Sequence, residues 1–169
     1  MTQDSEGRLG LLSRFYLCYQ PIYRLGSRAL LGVEALLRHA DGIGPLELLD
    51  IVRRESLIPR WELAVLERAA GEVLADGARV ETLFFNLTPE AYMSGEFRDG
   101  ARLVLARLNV QPARLCVEVS EGAVYPEEAY RRQAAGWFEL GCRIALDDFG
   151  RGESNVSLLV AARPDFAKI

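Results

Sequence analysis

From Phe15 onward the chain alternates short β-like runs with helical stretches, and this alternation constrains the fold more than any other feature. Strands are predicted over Phe15 to Tyr23, Leu30 to Leu37, Thr82 to Leu87, Leu115 to Ser120, Arg143 to Asp148 and Asp165 to Ile169. Helices are predicted over Pro45 to Ser56, Pro59 to Asp76, Pro126 to Leu140 and Ser154 to Ala162, and in one run from Pro89 towards Leu108. Proline at a first helical position opens several of these, Thr88 supplies an N-cap, and Gly77 and Gly141 supply stops. Leu30 to Leu37 (LLGVEALL) satisfies helix propensity as well; the short Gly26 turn before it favours pairing as a strand. Strands alternating with helices imply βαβ units and a mainly parallel sheet, and apolar runs such as LFF and IAL suit strands buried on both faces. With 169 residues the chain is too short for a complete (β/α)8 barrel, which needs at least about 200.

A second regularity lies at the ends of the strands. The β-like runs end, or nearly end, in polar residues: Glu34, Asn86, Glu118, the pair Asp147 and Asp148, and Lys168. Glu121 follows Glu118 by three positions. In parallel α/β folds the C-terminal ends of neighbouring strands converge on one face, where sites form. Several carboxylates gathered there require a cation. The donors are all oxygens and the lone histidine, His39, sits in a loop-like stretch, so Mg²⁺ or Mn²⁺ suits them better than zinc. Adjacent Asp147 and Asp148 make a two-metal site feasible, a geometry that clamps a phosphoryl group. Each residue alone also has an ordinary reading as a cap, a turn or a solvated face; the recurrence at five strand ends favours a site.

Composition excludes other classes. The net charge is −4 with a pI near 5.2, and the basic residues are scattered among acids, which argues against binding to DNA or RNA duplexes. Every basic residue except Lys168 is arginine. The first ten residues do not form a signal peptide, and no apolar run is long enough to span a bilayer, so a cytoplasmic location is expected. Cys18, Cys116 and Cys142 each sit in an apolar run and are expected as buried free thiols. Residues 1–14 read as a tail or short leader helix, and 15–169 as the domain.

Six segments resemble the EAL domain, the bacterial cyclic-di-GMP phosphodiesterase family: Tyr19-Gln20-Pro21-Ile22, Glu34-Ala35-Leu36-Leu37-Arg38, Asn86-Leu87, Glu118-Val119-Ser120-Glu121, Ala145-Leu146-Asp147-Asp148-Phe149-Gly150 and Pro164-Asp165-Phe166-Ala167-Lys168-Ile169. They fall in family order from Phe15 to the last residue. The resemblance implies an incomplete TIM-like (β/α) barrel with an antiparallel first strand, cut after the sixth strand begins. It implies that Glu34, Asn86, Glu118 and Asp147 hold one Mg²⁺ or Mn²⁺ ion and that Asp147 and Asp148 contact a second. Lys168 would sit by the attacking water. Glu121 would brace the loop after Asp148, linking the site to homodimer formation. Gln20, Leu36 and Arg38 would contact cyclic-di-GMP, whose hydrolysis yields a linear dinucleotide.

Two departures accompany the resemblance. Arg151-Gly152-Glu153-Ser154 stands where the family usually has Thr-Gly-Tyr-Ser, and the stretch after Arg38 is shorter than usual. The family's later strand–helix units, with a further metal-site Glu and a substrate-binding Gln, have no counterpart here. The chain alone is therefore expected to be inactive or nearly so. The alternative is a catalytically inactive module that binds cyclic-di-GMP or a protein partner.

Overall fold

The computed structural model describes residues 12–75, 80–120, 126–147 and 163–168. Two long strands, β1 (Phe15–Tyr23) and β2 (Leu30–His39), form an antiparallel hairpin. Four shorter strands follow in parallel with β2: β3 (Leu83–Asn86), β4 (Leu115–Ser120), β5 (Arg143–Asp147) and β6 (Phe166–Ala167). The sheet keeps chain order from β1 to β6. Among the described residues it does not close, so β1 and β6 are its edges. The edge position explains how Pro21 fits within β1, because its missing N–H is not required by a second neighbour.

Helices α1 (Pro45–Arg54) and α2 (Ile58–Val73) join β2 to β3, α3 (Pro89–Met93) and α4 (Gly95–Arg107) join β3 to β4, and α5 (Glu127–Leu140) joins β4 to β5. Gly141, at φ 88°, ends α5 in the left-handed conformation that its sequence position predicts. The single helix expected after Thr88 is instead two. Thr88 caps α3 by accepting from the Ala91 N–H, but Ser94 then takes an extended backbone and its hydroxyl accepts from the Phe97 N–H at 3.1 Å. A serine that competes for backbone N–H groups ends one helix and starts the next.

Alternation along each strand sorts its residues between two faces. Ala35, Leu83, Phe85, Leu115, Val117, Val119, Ile144 and Leu146 join the main core under the helices, with Leu48, Trp61, Leu66, Phe97, Tyr130 and Trp137. Phe84, Cys116 and Ala145 face the opposite way and form a second apolar cluster with Ile22, Leu31 and Phe166. Both faces are thus apolar in the lower part of the sheet, as the LFF and IAL runs require. Leu12 is buried in the main core and its carbonyl accepts from Trp61 Nε1 at 3.2 Å, which pins the chain just before β1.

Two sequence expectations are corrected. Cys116 and Cys142 are buried, but Cys18 is exposed, because on edge strand β1 it lies on the face that no helix covers. His39 is the buried last residue of β2, not part of a loop, and its Nδ1 accepts from the Asp41 N–H at 3.2 Å. The helix expected over 154–162 lies outside the described residues.

Candidate active site

The second apolar cluster is the floor of a polar layer. One pleat beyond Phe84, Cys116 and Ala145 on β3, β4 and β5 stand Asn86, Glu118 and Asp147, and Glu34 on β2 shares their face in register with Phe84. Strand register sets their heights: Asn86 pairs with Glu118, and Asp147 with Ser120. Lys168 follows β6 and extends its ladder, its N–H donating to the Leu146 carbonyl at 2.9 Å. The topology therefore brings together five polar residues that the sequence scatters over 134 positions.

Their contacts are close. Asn86 Nδ2 donates to Glu34 Oε1 at 2.7 Å. Lys168 Nζ lies 2.8 Å from Glu34 Oε2, 2.7 Å from Glu118 Oε1 and 3.3 Å from Asp147 Oδ1. One oxygen from each of Glu34, Glu118 and Asp147 falls within 4.8 Å of the others. Glu118 is 1% exposed. Its Oε1 meets the ammonium as an ion pair without hydrogen-bond alignment, and its Oε2 is buried with no hydrogen-bond partner among the described residues.

The electrostatics follow from this geometry. Burial over the apolar floor pushes the Glu118 carboxyl up to about 8; Lys168 opposes the shift, while Glu34 and Asp147 add to it. Burial by itself would lower the Lys168 ammonium, but Glu118 and Glu34 outweigh it and hold Lys168 above the usual lysine range. Three carboxylates around one ammonium leave the layer electron-rich. An all-oxygen donor set, excess negative charge and an orphaned buried Glu118 Oε2 fit a hard divalent cation.

Gln20 pairs with Glu34 across β1 and β2, and lines a cavity of about 500 Å³ with Glu34, Phe84, Phe166 and Lys168. Leu36 and Arg38 lie further along β2 and line a separate cavity of about 220 Å³ with Trp61, Glu62 and Asn86. Arg38 Nη1 donates to the Leu37 carbonyl at 2.7 Å. Glu121 and Asp148 lie outside the described residues.

One residue beside the site escaped the sequence reading. Glu62, on α2, is 5% exposed, and its carboxylate accepts from the Thr88 N–H at 3.2 Å and the Thr88 hydroxyl at 3.0 Å. It thereby braces the chain two residues beyond Asn86. Burial pushes its carboxyl up to about 7, against the opposing pull of the Thr88 hydrogen bonds. A signal was present: positions 58, 61, 62, 65, 66 and 69 form the apolar stripe of α2, and a glutamate on such a stripe needs a buried partner.

An antiparallel entry hairpin leading into parallel strands, with a ring of carboxylates at their C-terminal ends, defines a class of open (β/α) barrel domain. Within that class, the EAL domain family profile matches residues 8–169, and the chain belongs to this family. It is 27% identical over 168 residues to the probable cyclic di-GMP phosphodiesterase PdeI of Escherichia coli, covering 94% of this chain and 22% of that protein. The chain thus spans about a fifth of that relative's length. Among solved structures, the phosphodiesterase PaMucR in complex with c-di-GMP superposes with a TM-score of 0.83 at 28% identity, covering 98% of this chain and 70% of that one. Klebsiella pneumoniae BlrP1, solved as a calcium/cy-diGMP complex, gives a TM-score of 0.74 at 25% identity, covering 98% and 47%.

Proposed function

We propose that this domain belongs to a cytoplasmic phosphodiesterase that hydrolyses cyclic-di-GMP to a linear dinucleotide with Mg²⁺ or Mn²⁺. The observation that carries the reading is the convergence of Glu34, Glu118 and Asp147 within 4.8 Å, with Asn86 and Lys168 in direct contact. Glu34, Asn86, Glu118 and Asp147 hold the ion, and Asp148 contributes to a second. When bound, the metal supplies Lewis-acid charge and a water made nucleophilic near neutral pH.

The protein's own groups do the rest. Gln20, Leu36 and Arg38 hold the dinucleotide, Arg38 through charge-assisted hydrogen bonds. Lys168, kept charged by its carboxylate neighbours, donates from Nζ to orient the attacking water. Its compact ammonium fits among three carboxylates where a guanidinium would not. The phenyl groups of Phe84 and Phe166 keep water from beneath the reacting phosphodiester. Glu121 braces the loop beyond Asp148 and couples it to a homodimer.

With both sheet edges open among the described residues, the 169-residue chain by itself turns over slowly or not at all. The test is hydrolysis of cyclic-di-GMP, followed by separation of the linear product, using the longest form of the protein with each cation. Turnover that disappears on chelation supports the proposal. A metal-loaded protein that leaves cyclic-di-GMP intact refutes it.

A further inference from the structure

The face of the β1–β2 hairpin that carries Glu34 continues past the carboxylate layer, away from the apolar floor. Gln20 pairs with Glu34, Cys18 with Leu36, and Tyr16 with Arg38. Side chains alternate across a strand, so Tyr16, Cys18 and Gln20 share one face with Glu34, Leu36 and Arg38. Their neighbours Phe15, Leu17 and Tyr19 pack on the main core, which assigns the other face to the helices. Because β1 runs against the other strands, its first residues stand at the same end as the C-terminal ends of β2 to β5. Tyr16 therefore stands at the mouth of the site, about 13 Å along the strand from Gln20. Tyr16 is 45% exposed, and Cys18 below it is exposed too.

A phosphodiester held over the carboxylates leaves its nucleoside arms to run along a wall of the site. The hairpin wall offers an amide, then a thiol beside a leucine, then an aromatic ring on the residue that pairs with Arg38, whose guanidinium donates to the Leu37 carbonyl. A ring face stacks on any base. We propose that Tyr16 is a substrate-binding residue that stacks on one purine base of the cyclic dinucleotide. The wall from Gln20 through Cys18 is the track of the nucleoside arm. This inference rests on the reading of the site as a cyclic-di-GMP site.

Two measurements on the whole chain test it, both with Ca²⁺ present. Calorimetric titration with cyclic-di-GMP should show Tyr16→Ala weakened about five- to tenfold, the lower end of base–aromatic stacking, and Tyr16→Phe within about twofold of the parent. Unchanged Ca²⁺ affinity in both variants verifies that the site is folded. Maleimide labelling reports on Cys18, since Cys116 and Cys142 are buried, and saturating cyclic-di-GMP should slow it severalfold. If the parent binds cyclic-di-GMP but Tyr16→Ala binds equally well and Cys18 labels at an unchanged rate, the Tyr16 assignment is overturned and the site reading stands. If the parent fails to bind, the site reading falls and takes this inference with it.

Discussion

Lys168 Nζ sits 2.8 Å from Glu34 Oε2, although β2 and β6 are separated in the sheet by three other strands. In a flat sheet those two strands would stand about 19 Å apart. The ion pair therefore reports strong curvature: the sheet wraps around the polar layer as a barrel wall does. The curvature turns residues from opposite parts of the chain into one cluster.

Removal of the shared cation should unbalance that cluster. Lys168→Met leaves Glu34, Glu118 and Asp147 facing one another, with Glu118 fully buried. The apoprotein should lose about 3 kcal/mol of stability, and added Mn²⁺ should restore most of it by supplying the missing charge. Urea unfolding with and without Mn²⁺ measures both changes. An apoprotein as stable as the parent would mean that Lys168 does not neutralise the carboxylates.

Metal binding should raise the stability of the parent by mass action, by about 2.7 kcal/mol when Mg²⁺ or Mn²⁺ is at a hundredfold its dissociation constant. Chelation should reverse the gain. Glu34→Gln and Asp147→Asn each remove a charged donor and should weaken binding by more than about tenfold. Thermal melts at graded metal concentration, backed by titration calorimetry, give the affinities. Equal metal stabilisation of parent and variants would place the ion elsewhere.

Glu62 should make folding depend on pH. Its carboxyl titrates near 7 in the folded state and near 4.5 when unfolded, so between those values the folded chain holds a proton that the unfolded chain has released. Stability attributable to this group is complete below about pH 4.5 and falls as pH rises to 7, with a slope of at most about 1.4 kcal/mol per pH unit. Glu62→Gln keeps an acceptor for Thr88 and should flatten that fall. Glu118 contributes a similar decline reaching to about pH 8, so the quantity to read is the difference between parent and variant unfolding curves from pH 4.5 to 8.

Gly32 should tolerate no side chain. A Cβ there would run into the Thr82 carbonyl oxygen and lie 2.9 Å from the Phe84 ring, where β2 joins β3 and the Val33 N–H donates to that same carbonyl. The obstacle is backbone, which cannot rotate aside. Gly32→Ala should cost about 3 kcal/mol and disturb the floor under Glu34. Chemical denaturation measures the loss, and a cost under about 0.5 kcal/mol would show that β2 can shift.

Much of this domain was legible locally. The alternation of β-like and helical runs, the Thr88 cap, the Gly141 stop and the polar residue closing each strand are short-range patterns, and each follows from backbone geometry that neighbouring residues decide. The positions Glu34, Asn86, Glu118, Asp147 and Lys168 could be named because a parallel sheet sends its strand ends to one side. Contacts between distant segments were not legible. The break at Ser94 depended on its extended backbone, which sets its hydroxyl to accept from the Phe97 N–H. Cys18 is exposed because β1 is an edge strand with one face bare, whereas Glu62 is buried because α2 packs beside β3. Sequence by itself determined which residues could serve such a site; the curvature of the sheet decided that they meet, because bringing Lys168 to Glu34 is a property of four strand pairings acting together.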